Sequence, residues 1–411
     1  MKVVHRYVYT FVPLSGMLRE SKERQCSMEA AQVSGSRFYR PELDVLRFVA
    51  FLLVFLAHTV PDSEDPRLAP LLKDFVLPFD VLQGAFCYGL SLFFTLSAFL
   101  ICELLLRERE ITGTVKITQF YIRRILRIWP LYYLGLALGS AVAFLPGGHP
   151  TDLAMFGWFA IFMGAWYSAF HGAILNPIAP LWSVSVEEQF YLFAPWVTKF
   201  FNRKSLYGFC VALILLANSR LCYLVKASAT DSRIWTDTYV QFECFAAGIL
   251  LCMVLRGRLP GIAVWQRSIL LATSWSCWLF ASYCAQAPSK SLANPPFWPY
   301  FSEYTLAALG SALFIVAVLG MNPKRLPAWA IYCGRISFGL YVFHEFAIYI
   351  SRSICEHTLA LSSLAYCMEA ILAVGLTFLM AALSYRYFET PFLKLKKRHA
   401  VVESQPIQGV D

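Results

Sequence analysis

Two histidines and a pair of adjacent carboxylates stand in this chain where an apolar helix would ordinarily exclude them. His58 closes the run Leu53-Val54-Phe55-Leu56-Ala57, His344 and Glu345 follow Leu340-Tyr341-Val342-Phe343, and Glu187 with Glu188 follows Val184-Ser185-Val186. Ionisable side chains are costly in hydrocarbon and face a wet cavity or one another. An imidazole exchanges protons near neutral pH and can serve as a general base. A carboxylate can orient that imidazole, take up a proton or bind substrate hydroxyls. Plainer readings stand beside these. His58 at the edge of a span could snorkel or bond to a loop. Ser183 or Ser185 could cap a helix whose positive end attracts Glu187 or Glu188. No GxSxG occurs in the sequence, which excludes the nucleophile elbow of soluble hydrolases.

A second set is cationic. Arg123-Arg124-Ile125-Leu126-Arg127-Ile128-Trp129-Pro130 puts Arg124 and Arg127 on one helical face and makes Arg123 and Arg127 an i,i+4 pair. Guanidinium forks held this way suit a ligand with several phosphates. They equally suit anionic lipid headgroups or a topology signal. Upstream, Asp44 and Arg47 have the three-residue spacing of a same-face ion pair. Arg47 and His58 fall about 16 Å apart on a straight helix, too far to touch.

The elements that must position these residues are set by composition. The 411 residues are 58% hydrophobic and only 15% charged, against about 25% charged in soluble domains. The expected fold is therefore an all-α, polytopic membrane bundle. Lys plus Arg is 35 against 26 Asp plus Glu, and the basic residues sit in short runs between apolar stretches. That is the positive-inside pattern and not a nucleic-acid footprint. Runs such as Phe51-Leu52-Leu53-Val54-Phe55-Leu56 lack the alternation of a membrane barrel. Twelve cysteines without a CxxC read as packing residues, with no metal site expected.

The apolar segments are Leu43 to Val60, Ala85 to Leu106, Leu126 to Leu145, Leu153 to Phe170, Leu181 to Thr198, Leu206 to Val225, Tyr239 to Leu255, Ser268 to Ala285, Tyr304 to Leu319, Ala328 to Ile350 and Leu364 to Tyr387. Placing every basic linker on the cytoplasmic side leaves an odd segment between Arg127 and Lys199. One of segments three to five is thus expected to re-enter or lie inside the bundle, giving about ten transmembrane helices with both termini cytoplasmic. Residues 1–40 read as a cytoplasmic tract, 41–395 as the membrane domain and 396–411 as a short tail. Pro61 to Gly84, with Asp62, Glu64, Asp65, Asp74 and Asp80, reads as an acidic outer loop, and Ala287 to Pro299 as another. Counting along the helices puts His58, His344 and Glu187 at one depth, towards the outer face.

Read together, the motifs resemble the acyltransferase 3 family of integral membrane O-acyltransferases. They are Arg40-Pro41-Glu42-Leu43-Asp44-Val45-Leu46-Arg47 leading to His58, Phe93-Phe94-Thr95-Leu96-Ser97-Ala98-Phe99-Leu100-Ile101, Arg124-Ile125-Leu126-Arg127-Ile128-Trp129-Pro130-Leu131-Tyr132, Leu181-Trp182-Ser183-Val184-Ser185-Val186-Glu187-Glu188-Gln189-Phe190-Tyr191, Ile336 to His344, and Tyr387-Phe388-Glu389-Thr390-Pro391-Phe392. They span residues 38 to 395 in family order. Ala98 replaces the glycine common in the second motif, a change expected to tighten helix packing slightly. The sequence stops soon after Glu389-Thr390-Pro391, with no fused hydrolase-like domain expected of it.

The resemblance implies transfer of a short acyl group, most commonly acetyl, from acyl-coenzyme A to a hydroxyl of a sugar, polysaccharide or glycosylated small molecule. No tightly bound cofactor is implied; acetyl-CoA or another acyl-CoA is a donor substrate, and membrane lipids are the other partners. His58 takes the catalytic role, and Arg124 and Arg127, with Arg123, belong near the donor. Glu187, Glu188 or an acid of the outer loop would orient the imidazole. The oxyanion donor would be His344, a backbone N–H near Ser97 or a serine hydroxyl, and His344 could instead bind the acceptor. Arg47, Asp44, Ser97, Trp182, Ser185, Glu188 and Tyr341 are expected to bind substrate or support the site, and Ser97 offers a covalent relay. Competing readings are a transporter using His58, Glu187 and His344 as a pathway, an O-acyltransferase of macrolide-like products, and an assembly protein binding anionic lipid.

Overall fold

The computed structural model describes residues 38–61, 63–65, 72, 75–144, 153–287, 290, 295–358, 363–400 and 402, without the side chains of 356–365. The helical unit is Arg40–Ala400; Met1–Tyr39 and Val401–Asp411 form a separate unit, almost all of it outside the described residues. Most of the expected N-terminal tract and tail therefore lies outside the description, as do Asp62 and Asp74.

Helix α1 is Pro41–Thr59, with proline at its first position, where the missing N–H costs nothing. Glu42 accepts from the Gly320 amide at 3.1 Å and ties this end to its neighbour. Only Tyr88 separates α2, Val76–Cys87, from α3, Gly89–Thr112. Asp80 thus lies on a helix, and the expected outer loop is shorter than the sequence indicated. Gly113, at φ 75°, stops α3 in the left-handed conformation that glycine adopts freely. Helix α4, Ile117–Ala143, runs through Pro130.

Between α4 and the next basic linker lies the segment from Leu153. It folds as two short helices, α5 (Leu153–Ala160) and α6 (Gly164–His171), broken where Phe162 takes φ 58°. Each is about 12 Å long, far short of about 30 Å of hydrocarbon. There follow α7 (Leu181–Phe200), α8 (Arg203–Lys226), α9 (Asp231–Thr236), α10 (Phe242–Leu255), α11 (Val264–Ala285) and α12 (Trp298–Val318). The stretch Ala328 to Ile350, expected as one helix, breaks at Ile336 into α13 (Ala328–Arg335) and α14 (Ser337–Thr358). Helix α15, Ser363–Leu383, passes through a π-helical turn, Ser384–Glu389, into α16, Thr390–Lys397.

Helix α3 is the hub, packed against α1, α7, α10 and α12. A Cβ at Gly248 of α10 would run into the Thr95 carbonyl oxygen, with Ala98 and Phe99 next to it. Small residues here let the two backbones touch, so the room for Ala98 comes from the glycine opposite. Gly334 lets α13 approach the Asp44 carbonyl of α1 in the same way. Around this seam Phe245 stacks on Phe190 at 4.4 Å and lies 5.2 Å from Phe94.

Among the described residues six helices are long and apolar enough to cross a membrane: α2 with α3, α4, α8, α11, α12 and the run Tyr366–Lys397. The count is six where about ten were expected. The reason is chemical. Glu42, Asp44 and Arg47 occupy α1, Glu187, Glu188 and Lys199 occupy α7, and His344, Glu345 and Arg352 occupy α14, while α10 has only 14 residues. The helices that carry the two histidines and the three glutamates of the candidate site are too polar to count as lipid-spanning by composition, whereas α4, which carries the arginines, is one of the six.

Candidate active site

His58, one residue from the end of α1, and His344, on the second turn of α14, come together with ring centroids 5.1 Å apart, edge to face. Nδ1 of His58 is 2.8 Å from the Val54 carbonyl oxygen, and Nδ1 of His344 is 2.5 Å from that of Tyr341. A carbonyl brings no proton, so each Nδ1 is the donor. In a neutral ring each Nε2 is then a bare acceptor. Glu345 completes the group, its Oε1 lying 3.6 Å from Nε2 of His58 and 3.9 Å from Nε2 of His344. Its place as the next residue after His344 was visible in the sequence, but its meeting with His58 was not.

One acceptor atom from each of these three side chains lies within 4.8 Å of the others. Such a convergence is completed by a hydroxyl, a proton or a cation, and the residues could equally hold a metal ion of the kind bound by two imidazoles and a carboxylate. The pair is asymmetric. His344 is fully buried against the edge of Phe51, and its Nε2 has no hydrogen-bond partner among the described residues. His58 is the open member, with 39% of its side chain exposed.

Between the imidazoles and the arginines runs a set of hydroxyls. Tyr341 and Ser183 meet at 2.6 Å above the Pro180 carbonyl. Ser97 meets Tyr191 at 2.5 Å; its hydroxyl is spent on a tyrosine and not on an imidazole. Phe93, one turn before Ser97, lies edge-on to Tyr341 at 5.9 Å. Ser185 accepts from the Gly164 amide at 3.2 Å and joins α7 to α6, while Trp182 packs half-buried against the core. Helix α7 begins at Leu181 without a side-chain cap. Ser183 and Ser185 donate back to carbonyls three and four residues earlier, so capping is not what holds the glutamates.

Glu188 accepts from the Trp129 indole at 3.1 Å, leaving its other oxygen buried and unpartnered. Glu187 is an electrostatic neighbour of Arg124, Tyr191 and Tyr341. Among the described residues it forms no ion pair with either histidine, and the carboxylate at the imidazoles is Glu345.

The cationic end holds two satisfied pairs and two arginines that form no ion pair among the described residues. Arg47 donates to Asp44 at 2.9 Å, as the three-residue spacing predicts. Arg123 donates to Glu108 at 2.7 Å and to the His399 carbonyl at 2.9 Å, which makes it a strut between α3, α4 and the segment after α16. Arg124 lies over the rings of Phe120 and Tyr191, at 5.7 and 5.4 Å, with Glu187 and Glu188 as electrostatic neighbours and a buried Nε that has no hydrogen bond among the described residues. Arg127 has Arg47, Arg124, Asp44, Glu389 and Lys396 among its charged neighbours and forms no ion pair among the described residues.

With this arrangement established, its kinship can be stated. The chain belongs to the acyltransferase domain family, which matches residues 40–386. It is similar to the peptidoglycan O-acetyltransferase OatA of Listeria monocytogenes, 27% identical over 394 residues that cover 87% of this chain and 56% of that protein. It is also similar to the O-acetyltransferase OatA of Staphylococcus aureus, 24% identical over 382 residues that cover 87% of this chain and 57% of that protein. The chain thus spans little more than half the length of these relatives. No solved structure matches it.

Proposed function

We propose that the chain is a multi-pass membrane O-acyltransferase that moves a short acyl group, acetyl for preference, from acyl-coenzyme A to a hydroxyl of a peptidoglycan-like or other carbohydrate acceptor. The observation that carries the reading is the meeting of Nε2 of His58, Nε2 of His344 and Oε1 of Glu345, with both Nδ1 atoms fixed as donors to backbone carbonyls. Three acceptors facing one point suit a hydroxyl that is about to lose its proton. The acceptor hydroxyl lies between the imidazoles. His58, the open ring, takes its proton as the oxygen attacks the thioester carbonyl. Glu345 faces the imidazolium that results and stabilises it. The C–S bond then breaks, and the proton returns from His58 to the departing thiolate. His344, with Nε2 bare in its neutral form, suits binding of the acceptor hydroxyl better than donation to an oxyanion.

The donor's phosphates are held by Arg124 and Arg127, whose planar forks match phosphate oxygens. About 16 Å of α1 separates that end from His58, a distance for the thin pantetheine arm to cover along Tyr191, Ser97, Ser183 and Tyr341. Kinship with proteins named for O-acetyl transfer supports this reading. The finer topology belongs with it: α1, α7, α10 and α14 join the six apolar helices to give about ten crossings, both termini cytoplasmic, with α5 and α6 as the element that does not cross. Purified protein incubated with acetyl-CoA and glycan oligosaccharides should yield an oxygen-linked acetyl ester detectable by mass spectrometry. Solute uptake into vesicles without any such ester would replace the enzyme by a transporter.

A further inference from the structure

Helix α16 carries four basic residues if Arg398 just beyond its end is counted, and three of them point outward. Lys394, Lys397 and Arg398 are exposed, whereas Lys396 is 6% exposed. A lysine is almost never fully buried unless paired, and on a surface helix its long stem could snorkel out at little cost. Lys396 instead turns in, towards α4, against which α16 packs. Its strongest charged neighbours are all cations: Arg127, Arg124, Arg47 and Arg123. Among the described residues its ammonium has no hydrogen bond and no ion pair, while Asp44 is paired with Arg47 and Glu108 with Arg123. The nearby buried acid Glu389 accepts from Ser384 at 3.2 Å and faces Arg127. The inward pose is held in place, because Arg123 grips the His399 carbonyl three residues after Lys396.

We infer that Lys396 is the third cation, after Arg124 and Arg127, of a single site for a polyphosphate ester, the adenosine phosphates of the acyl donor. Glu187 and Glu188 lie near Arg124, and Asp44 and Glu389 near Arg127, but among the described residues none of them forms an ion pair with these cations. The three cations repel one another, and an anion with several charges brought from outside relieves all three. A compact ammonium that turns towards the arginines is the shape of a phosphate ligand. The inference rests on the donor reading above and adds to it a residue beyond the arginine motif. It also gives the segment after the π-helical turn a task, since this helix brings its one buried cation to the helix that bears Arg124 and Arg127.

Lys396→Met and Lys396→Arg should be purified in nanodiscs of zwitterionic lipid, and acetyl-CoA binding measured by calorimetry together with thermal unfolding. Lys396→Met is expected to bind acetyl-CoA about tenfold more weakly, to lose most of the ligand-induced rise in melting temperature, and to melt no lower than wild type without ligand. Lys396→Arg is expected to restore binding to within a few-fold. A purely packing role would show the reverse, a lower unliganded melting temperature with unchanged affinity, and would overturn the inference. Wild type that ignores acetyl-CoA but is stabilised by inorganic pyrophosphate through Lys396 would keep the cation site and overturn the donor. Stabilisation that needs Lys396 and appears only when phosphatidylglycerol is added to the nanodisc would make the ligand a lipid headgroup and overturn the donor assignment.

Discussion

At the His58 end of α1 three acceptors converge, and among the described residues no proton donor faces them; at the other end cations gather in excess of the carboxylates that pair with them. Both ends are incomplete, in opposite senses. The group formed by His58, His344 and Glu345 presents acceptors without a donor, and Arg124, Arg127 and Lys396 form no ion pair among the described residues. One helix rigidly spaces them. A single bisubstrate complex, with a hydroxyl at one end and a polyphosphate at the other, would complete both, which is why the two regions are read as halves of one reaction and not as unrelated buried charges.

The comparison can be broken most directly at His58. His58→Ala should cut transfer about 10³-fold while donor affinity holds; turnover close to wild type would take the base away from this ring. At the opposite end, Arg124→Gln combined with Arg127→Gln should raise the donor KM about 100-fold and leave the rate at saturating donor nearly intact. A fall in the saturated rate with constant KM would move the arginines out of the binding half. Glu345→Gln keeps the side chain's size but removes its charge from the imidazoles, and should lower kcat about 20-fold without changing donor KM. Steady-state kinetics on that variant separates Glu345 from Glu187, whose replacement by glutamine should fall short of the same loss. Ser97→Ala should cost less than about fivefold in rate, because it removes only the hydroxyl bonded to Tyr191. Complete inactivity there, or an acyl group found on Ser97 by mass spectrometry, would favour a covalent relay.

Much of this was legible in the residues. The ion pair of Asp44 and Arg47 follows from helical spacing, as does the separation of Arg47 from His58. His58 and His344 were placed at one depth by counting residues, and their rings do meet. Glu187 was assigned to the same level on the same arithmetic. Depth fixes position along a helix and leaves rotation free, and rotation turns Glu187 towards Arg124 and Tyr191 and turns Glu345 to His58. Lys396 was hidden among neighbouring basic residues for the same reason. Nothing in Lys394-Leu395-Lys396-Lys397 tells which ammonium points inward.

The chain's own residues determined a helical membrane fold, the order of its elements and the chemical types at its two ends, because hydrophobic periodicity and charge act locally. Which carboxylate meets which imidazole and that Ser97 serves Tyr191 were decided by packing between helices far apart in sequence, and that Arg123 serves Glu108 by the way two consecutive helices pack. Gly248 and Gly334 likewise let α10 approach α3 and α13 approach α1, and a linear pattern carries no record of the partner that a small residue leaves room for.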